Sequence, residues 1–264
     1  IRTILQTATE WLSSDHDGGN DRLFYFLHSF DVHYPYIPPE PQLLNGDANF
    51  EVFDTYVKYA NERDYVRLLT EDPFDMSDEN VDLMKTYYNE CVDFVVRELR
   101  AFIETLRSEG ILNQSLVVLL GDHGDDFYER NFLFHHSLYE QNIKPGVIVK
   151  PPTGWENPLP DDLDHVDIFP TIARCLGDEK AVQQAAGVPI QDRDGSVRPR
   201  ITERFLDTYN VSVETASAKT ILTYENRADV LNGHPAYVES SVRDESYAAV
   251  DSSDDLLAPE AECE

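Results

Sequence analysis

Positive charge is what this sequence has least of. Its only lysines are Lys58, Lys85, Lys144, Lys150, Lys180 and Lys219, and 21 basic residues face 50 acidic ones for a formal net charge of −29. Such a surface repels polyanions and anionic lipid, so no nucleic-acid partner is expected. Cysteine is scarce as well. Cys91, Cys175 and Cys263 are odd in number and too widely spaced for a disulfide framework or a zinc pattern. No run approaches the ~18 apolar residues of a membrane span, and no signal-peptide pattern opens the chain. A cytoplasmic location follows as an expectation. The first residue is Ile rather than Met, which leads us to expect that the start was removed or never belonged to this chain.

What is present is enough for a sizeable core. Hydrophobic residues make up 41% of the 264, with 14 Tyr and 13 Phe, so the charge does not imply disorder. A carboxylate-rich, lysine-poor surface suits molar salt, where the Debye length shrinks to ~3 Å and self-repulsion is screened. The composition reads as that of a halophile's protein, an ordinary acidic protein being the alternative.

Residues 1–12 (IRTILQTATEWL) have the spacing of an amphipathic helix. LFYFLHSF (Leu23 to Phe30) is a short apolar run that predicts a buried strand, and DVHYPYIPPEP, with four prolines, predicts a loop at its end. A weak helical pattern covers about Phe50 to Leu69. A longer one starts at Asp78 and stops at Gly110. SLVVLL (Ser115 to Leu120) and GVIVK (Gly146 to Lys150) read as further buried strands. HVDIFPTIARCLG reads as a short helix capped by Asp164 and closed by Gly177. TILTYE, from Thr220, is a further candidate strand. The expected organisation is an α/β domain over 1–200, an extension of it over 201–241, and a mobile acidic tail over 242–264.

Buried strands alternating with amphipathic helices predict an α/β sandwich with a mainly parallel sheet, whose ligands gather beyond the strands' carboxyl ends. That rule selects two loops, residues 28–38 and 121–136. In the second, Gly121 and Gly124 flank Asp122 and His123 and permit a tight turn. A carboxylate oxygen beside an imidazole nitrogen suits Mg²⁺, Ca²⁺, Mn²⁺ or Zn²⁺, mainly oxygen ligation favouring the first two.

Several segments in order, FLHSFDVHYPYIPP, SLVVLLGDHGDDFYE, SLYEQNIKPGVIVKPP and HVDIFPTIARCLG, together resemble the sulfatase family of the alkaline-phosphatase superfamily. That resemblance covers roughly Leu23 to Gly177. It implies a three-layer sandwich with a mainly parallel central sheet, here incomplete at the N-terminus. It also implies a sulfuric ester hydrolase acting on small-molecule or carbohydrate sulfate esters through one divalent cation, Ca²⁺ or Mg²⁺. By position, Asp122 and His123 match the metal-binding pair, and the remaining ligands would come from residues upstream of this chain. His33 matches the histidine that contacts the sulfate or phosphate oxygens. His135 and His136 both lie where members place a histidine or lysine near the ester, and Asp125 and Asp126 would support the site as neighbours of the ligands. His28 reads as a buried, hydrogen-bonded histidine, and His165 has no role.

Two departures stand out. Where many members have G-E-H-G, this chain has Tyr128-Glu129-Arg130-Asn131, so a histidine is replaced by an arginine that cannot donate a proton. The family's C/S-x-P-x-R nucleophile motif is absent. The expectation is therefore the C-terminal part of a sulfatase-like enzyme, inactive as this truncated chain. A phosphoesterase or phosphotransferase of the same superfamily is one alternative; a non-catalytic binding protein is another.

Overall fold

A computed structural model describes residues 1–15, 22–34, 36–39, 78–131, 133–135, 137–160, 163–194, 196, 198–205, 208–225, 233, 235–242 and 248–250. The weak helical pattern over 50–69, and His136, lie outside the described residues.

Helix α1 spans Arg2–Asp15 and α2 spans Asp78–Ser108. The longer helix buries Val81, Met84, Tyr87, Cys91 and Phe94, a stripe spaced three and four residues apart that follows from the 3.6-residue repeat. Gly110, two residues past its end, adopts φ 73° and turns the chain away. Met84, Tyr87 and Cys91 of that stripe form a core cluster with Tyr36, Leu133 and Phe134, and Val32, Tyr34 and Phe127 lean against it. That cluster is the floor on which the two loops chosen from the sequence rest.

Strand β1 (Val117–Leu120) is followed by a small hairpin, β2 (Asp126–Phe127) and β3 (Leu133–Phe134), then by a single helical turn α3 (Glu140–Ile143) and strand β4 (Val147–Lys150). β1 and β4 pair antiparallel, Val117 opposite Lys150 and Leu120 opposite Val147. The mainly parallel sheet expected from the sequence is thus not what these strands form. A parallel return needs a crossover, normally a helix of full length. The connection here is spent on the hairpin and one turn of helix, and the chain comes straight back.

The segment from Leu23 to Phe30 is another difference. It is not paired as a strand among the described residues, and Phe24, Phe26 and Phe30 are exposed. Its burial alternates with period two from Tyr25 onward, as an extended chain requires. His28 lies on the exposed side between the rings of Phe26 and Phe30. It is not the buried histidine the apolar run suggested.

Beyond β4, the turn His165–Asp167 leads into α4 (Ile168–Leu176), which holds Pro170 in its first turn and ends on Gly177 in the left-handed region. Asp164 does not cap the turn; Arg198 and Arg200 take its carboxylate instead. Asp167 is fully buried. It accepts hydrogen bonds from Val188 N (2.8 Å), Arg193 Nη1 (3.2 Å) and Arg198 Nη2 (2.6 and 2.8 Å). Thr171 completes the joint, donating to Asp167 O and accepting from Ile190 N. A short helix α5 (Glu179–Gln184) intervenes.

The arginines lead directly into an antiparallel meander of five strands: β5 (Arg200–Phe205), β6 (Tyr209–Glu214), β7 (Ala218–Tyr224), β8 (Tyr237–Val242) and β9 (Ala248–Val250). The candidate strand TILTYE falls in β7. β9 lies inside the segment read as an acidic tail. The sheet reaches the arm before β4 through Lys219, which donates to Leu138 O at 2.6 Å, and through Tyr139, which donates to Glu239 at 2.8 Å.

Candidate functional site

The site is assembled from two stretches of chain. Val32 and Tyr34 both pack on the core, and His33, in the turn between them, brings its ring beside those of His123 and His135. Phe127 and Phe134 anchor the hairpin on the same core, holding Asp125 at its entrance and His135 at its exit. Gly124 is required by proximity. A Cβ there would sit 1.9 Å from Gln141 O, and Gly124 N donates to Asn142 O at 2.7 Å. This close approach is why a glycine follows the Asp-His pair.

Three imidazoles meet. The rings of His123 and His135 lie 4.4 Å apart, those of His33 and His135 5.5 Å, and those of His33 and His123 6.4 Å. Tyr34 stacks on His135 at 5.6 Å. His33 Nδ1 lies 2.6 Å from Tyr34 O, and His123 Nδ1 2.9 Å from Gly124 O. A carbonyl only accepts, so Nδ1 carries the proton in both rings, and in the neutral form Nε2 presents its lone pair.

The carboxylates divide into three kinds. Asp122 is largely exposed; it accepts His123 N–H at 3.0 Å, and its other oxygen lies 3.8 Å from His123 Nε2. Asp125 is 9% exposed, with Oδ2 taking the Tyr36 hydroxyl proton at 2.8 Å and Oδ1 lying 3.5 Å from His135 Nδ1. Asp125 Oδ1 is buried and makes no hydrogen bond. Asp126 is buried deeper still. Asn142 Nδ2 donates to it while also reaching Phe134 O (3.2 Å) and Ser137 Oγ (3.0 Å). Burial pushes the Asp126 carboxyl up to about 6 against those hydrogen bonds.

One ligand atom from each of His123, Asp125 and His135 lies within 4.8 Å of the others. A divalent cation fits the Asp125–His123 side of that set, a buried carboxylate oxygen without a hydrogen bond and an imidazole whose Nδ1–H is secured on a carbonyl, as metal-bound histidines usually are, with His135 beside them. Asp122 and His33 stand outside this group of three. His165 is exposed in the turn before α4, away from any assigned role.

Backbone strain is concentrated here. Tyr128, Arg130 and Phe134 all have positive φ (67°, 55° and 61°), and each costs of order 1–2 kcal/mol for a residue with a Cβ. In this twisted hairpin Arg130 lies over the Tyr139 ring at 4.4 Å, a cation–π contact. The sequence did not single out Tyr36, Ser137 or Asn142. Tyr36 does sit in the same HYPYIPP loop as His33, three residues on, and that spacing was the available hint.

The Sulfatase family model matches residues 2–178. The choline-sulfatase of Rhizobium meliloti (strain 1021) is 24% identical over 104 residues, covering 39% of this chain and 20% of that protein. Among solved structures, a protein from work on the metabolism of multiple glycosaminoglycans by Bacteroides thetaiotaomicron is similar with a TM-score of 0.53. Its identity is 15%, over 97% of this chain and 52% of the other. A protein solved with its substrate D-glucosamine-2-N,6-O-disulfate aligns with a TM-score of 0.46 and 16% identity, over 73% of this chain and 40% of its own. The chain therefore spans one fifth of the matched curated relative and about half of the longer structural match.

Proposed function

Since the chain belongs to the sulfatase family, we propose that the cluster of His33, His123, Asp125 and His135 binds the sulfuryl group of a sulfate monoester for hydrolysis. The observation that carries this reading is the meeting of His33 with His123, Asp125 and His135, contributed by separate loops. Small-molecule or carbohydrate sulfate esters are the substrate class implied by the family.

Cleaving an S–O ester bond spreads charge over the peripheral oxygens and builds it on the leaving oxygen, and fixed donors lower that barrier. His33, once protonated at Nε2, is placed to donate to a peripheral oxygen, its ring held by the Tyr34 carbonyl. His135, held by Tyr34 and Asp125, is placed to protonate the leaving alkoxide; His136 is kept as its alternative. A divalent cation at His123 and Asp125, with Asp122 alongside, would supply Lewis acidity toward the ester oxygens.

These residues do not include a nucleophile. Burial pushes the Cys91 thiol up to about 11 and raises that of Cys175, the opposite of an activated thiolate. Neither belongs to a C/S-x-P-x-R stretch. We therefore infer that the 264 residues bind ester without turning it over.

Calorimetric titration of 4-nitrophenyl sulfate and inorganic sulfate in 2 M KCl, with divalent metal present, tests the reading. Expected are competitive binding, at least about tenfold weaker in His33→Ala, and no hydrolysis above background. Equal binding by wild type and variant would discard the reading. Tighter binding of 4-nitrophenyl phosphate would move the assignment to phosphate esters.

A further inference from the structure

The five-stranded sheet begins at Arg200, outside residues 2–178 that the family model matches, and it meets the arm between β3 and β4 with a polar face. Glu214 lies opposite Lys219, and Ser212 and Glu239 both lie opposite Ile221, so these side chains share one side of the sheet. Asn210 joins them by alternation along β6. Asn210, Ser212, Glu214 and Lys219 are all buried. Burying such groups costs free energy unless they find partners, and several of those partners are on the arm. Lys219 Nζ donates to Leu138 O at 2.6 Å, the Tyr139 hydroxyl donates to Glu239 at 2.8 Å, and Lys144, just past α3, pairs with Glu214 at 2.9 Å.

Hydrogen bonds fix direction as well as distance. Leu138 and Tyr139 follow His135 by three and four residues, and on the other side of that histidine Phe134 is locked in the core at φ 61°. Ser137, between His135 and these anchors, takes Asn142 Nδ2 at 3.0 Å and Tyr139 N at 3.1 Å. The short segment that carries His135 is thus held at one end by the core and at the other by the sheet. We propose that Lys219 and Glu239 are positioning residues, through which the sheet clamps the arm behind His135 and sets where its imidazole stands against Tyr34 and a bound ester. The placement of the ring on Tyr34 follows from these contacts alone; its consequence for the ester rests on the sulfate-ester reading.

The test pairs NMR of the full 264-residue chain, labelled in its histidine rings, with calorimetric titration of inorganic sulfate in 2 M KCl with divalent metal present. The His135 ring signal is identified by its loss in His135→Gln. Lys219→Met, Tyr139→Phe and Glu239→Leu are each expected to shift that signal, leave the His165 signal where it was, and weaken sulfate binding about fivefold, the worth of one buried hydrogen bond. Glu239→Gln keeps an acceptor for the Tyr139 hydroxyl and should retain at least about half of the wild-type affinity. Tyr139→Phe removes a single hydroxyl, so it and the two Glu239 variants decide the matter even if Lys219→Met does not fold. Variants that melt lower while the His135 signal and sulfate affinity stay unchanged would show a merely structural contact and overturn the proposal. So would a Glu239→Gln variant as damaged as Glu239→Leu. A shifted His135 signal in a chain whose wild type binds no sulfate would sink the ester reading and leave the clamp on His135 standing.

Discussion

Asp167 is fully buried and the side chain of Asp125 is 9% exposed, and the molecule treats the two aspartates in opposite ways. Around Asp167, every approach is answered: two arginines and a backbone N–H converge on its oxygens, and Asp164 beside it takes Arg198 and Arg200. Burial opposes ionisation of Asp164, but Arg200 and Arg198 hold its carboxyl below the usual range. Around Asp125 one tyrosine hydroxyl is fixed and the second oxygen is left without a hydrogen bond. A buried charge fully matched by opposite charge is a joint. One left incomplete costs stability in the resting protein and makes sense as a place for a ligand.

The largest expected effect lies at the joint. Asp167→Ala removes the fully buried carboxylate that Arg193 and Arg198 share and leaves Asp164 alone to face them both, and should destabilise the chain by about 3–5 kcal/mol in denaturant titration. A loss below about 1 kcal/mol would erase the contrast drawn here.

Lys219 tests the contact between the sheet and the site arm. It is buried, and burial pushes its ammonium down to about 8 from 10.5. The unfolded chain therefore holds the proton more strongly between those values, so stability should rise as pH increases from 8 to 10.5, by up to about 3 kcal/mol. Lys219→Met should show none of that rise when unfolding is followed across the same window.

Gly124→Ala comes next. Its Cβ would meet Gln141 O at 1.9 Å, so the hairpin must shift, at about 1–3 kcal/mol and with weakened metal binding. An alanine variant as stable as wild type would show that the approach of the Gly124 loop to helix α3 is not tight in solution. The smallest effect on stability belongs to Asp125→Asn, within about 1 kcal/mol of wild type, because it removes a charge that no hydrogen bond holds at Oδ1, where His135 Nδ1 stands 3.5 Å away, while keeping an acceptor for Tyr36.

The sequence pointed to where chemistry-bearing side chains gather, and to less of the fold. Loops after apolar segments pointed to two stretches of chain, and the family resemblance pointed within them to Asp122, His123, His33, His135 and His136. The rings of His33, His123 and His135 come together, Asp122 lies beside them on the surface, and His136 lies outside the described residues. The long helix could be read from its stripe and its glycine stop. Strand direction could not be read. Val117 to Leu120 and Val147 to Lys150 look alike whether they pair parallel or antiparallel, and only the connection decides. Nor could the burial of Leu23 to Phe30, since an apolar segment is buried only if something covers it. The buried arginine joint was hidden for a related reason: Arg193, Arg198 and Arg200 lie 26 to 36 residues from their acidic partners, beyond any local pattern.

The contrast between the two aspartates reduces to one experiment, melting wild type, Asp125→Asn and Asp167→Asn in 2 M KCl with and without divalent cation, Mg²⁺, Ca²⁺, Mn²⁺ and Zn²⁺ each in turn. The account predicts that wild type gains stability with at least one of them, that Asp125→Asn melts like metal-free wild type and gains nothing, and that Asp167→Asn melts far lower yet still gains. If Asp125→Asn retains the full gain, or falls as far as Asp167→Asn without metal, Asp125 is not a ligand site and the account is wrong.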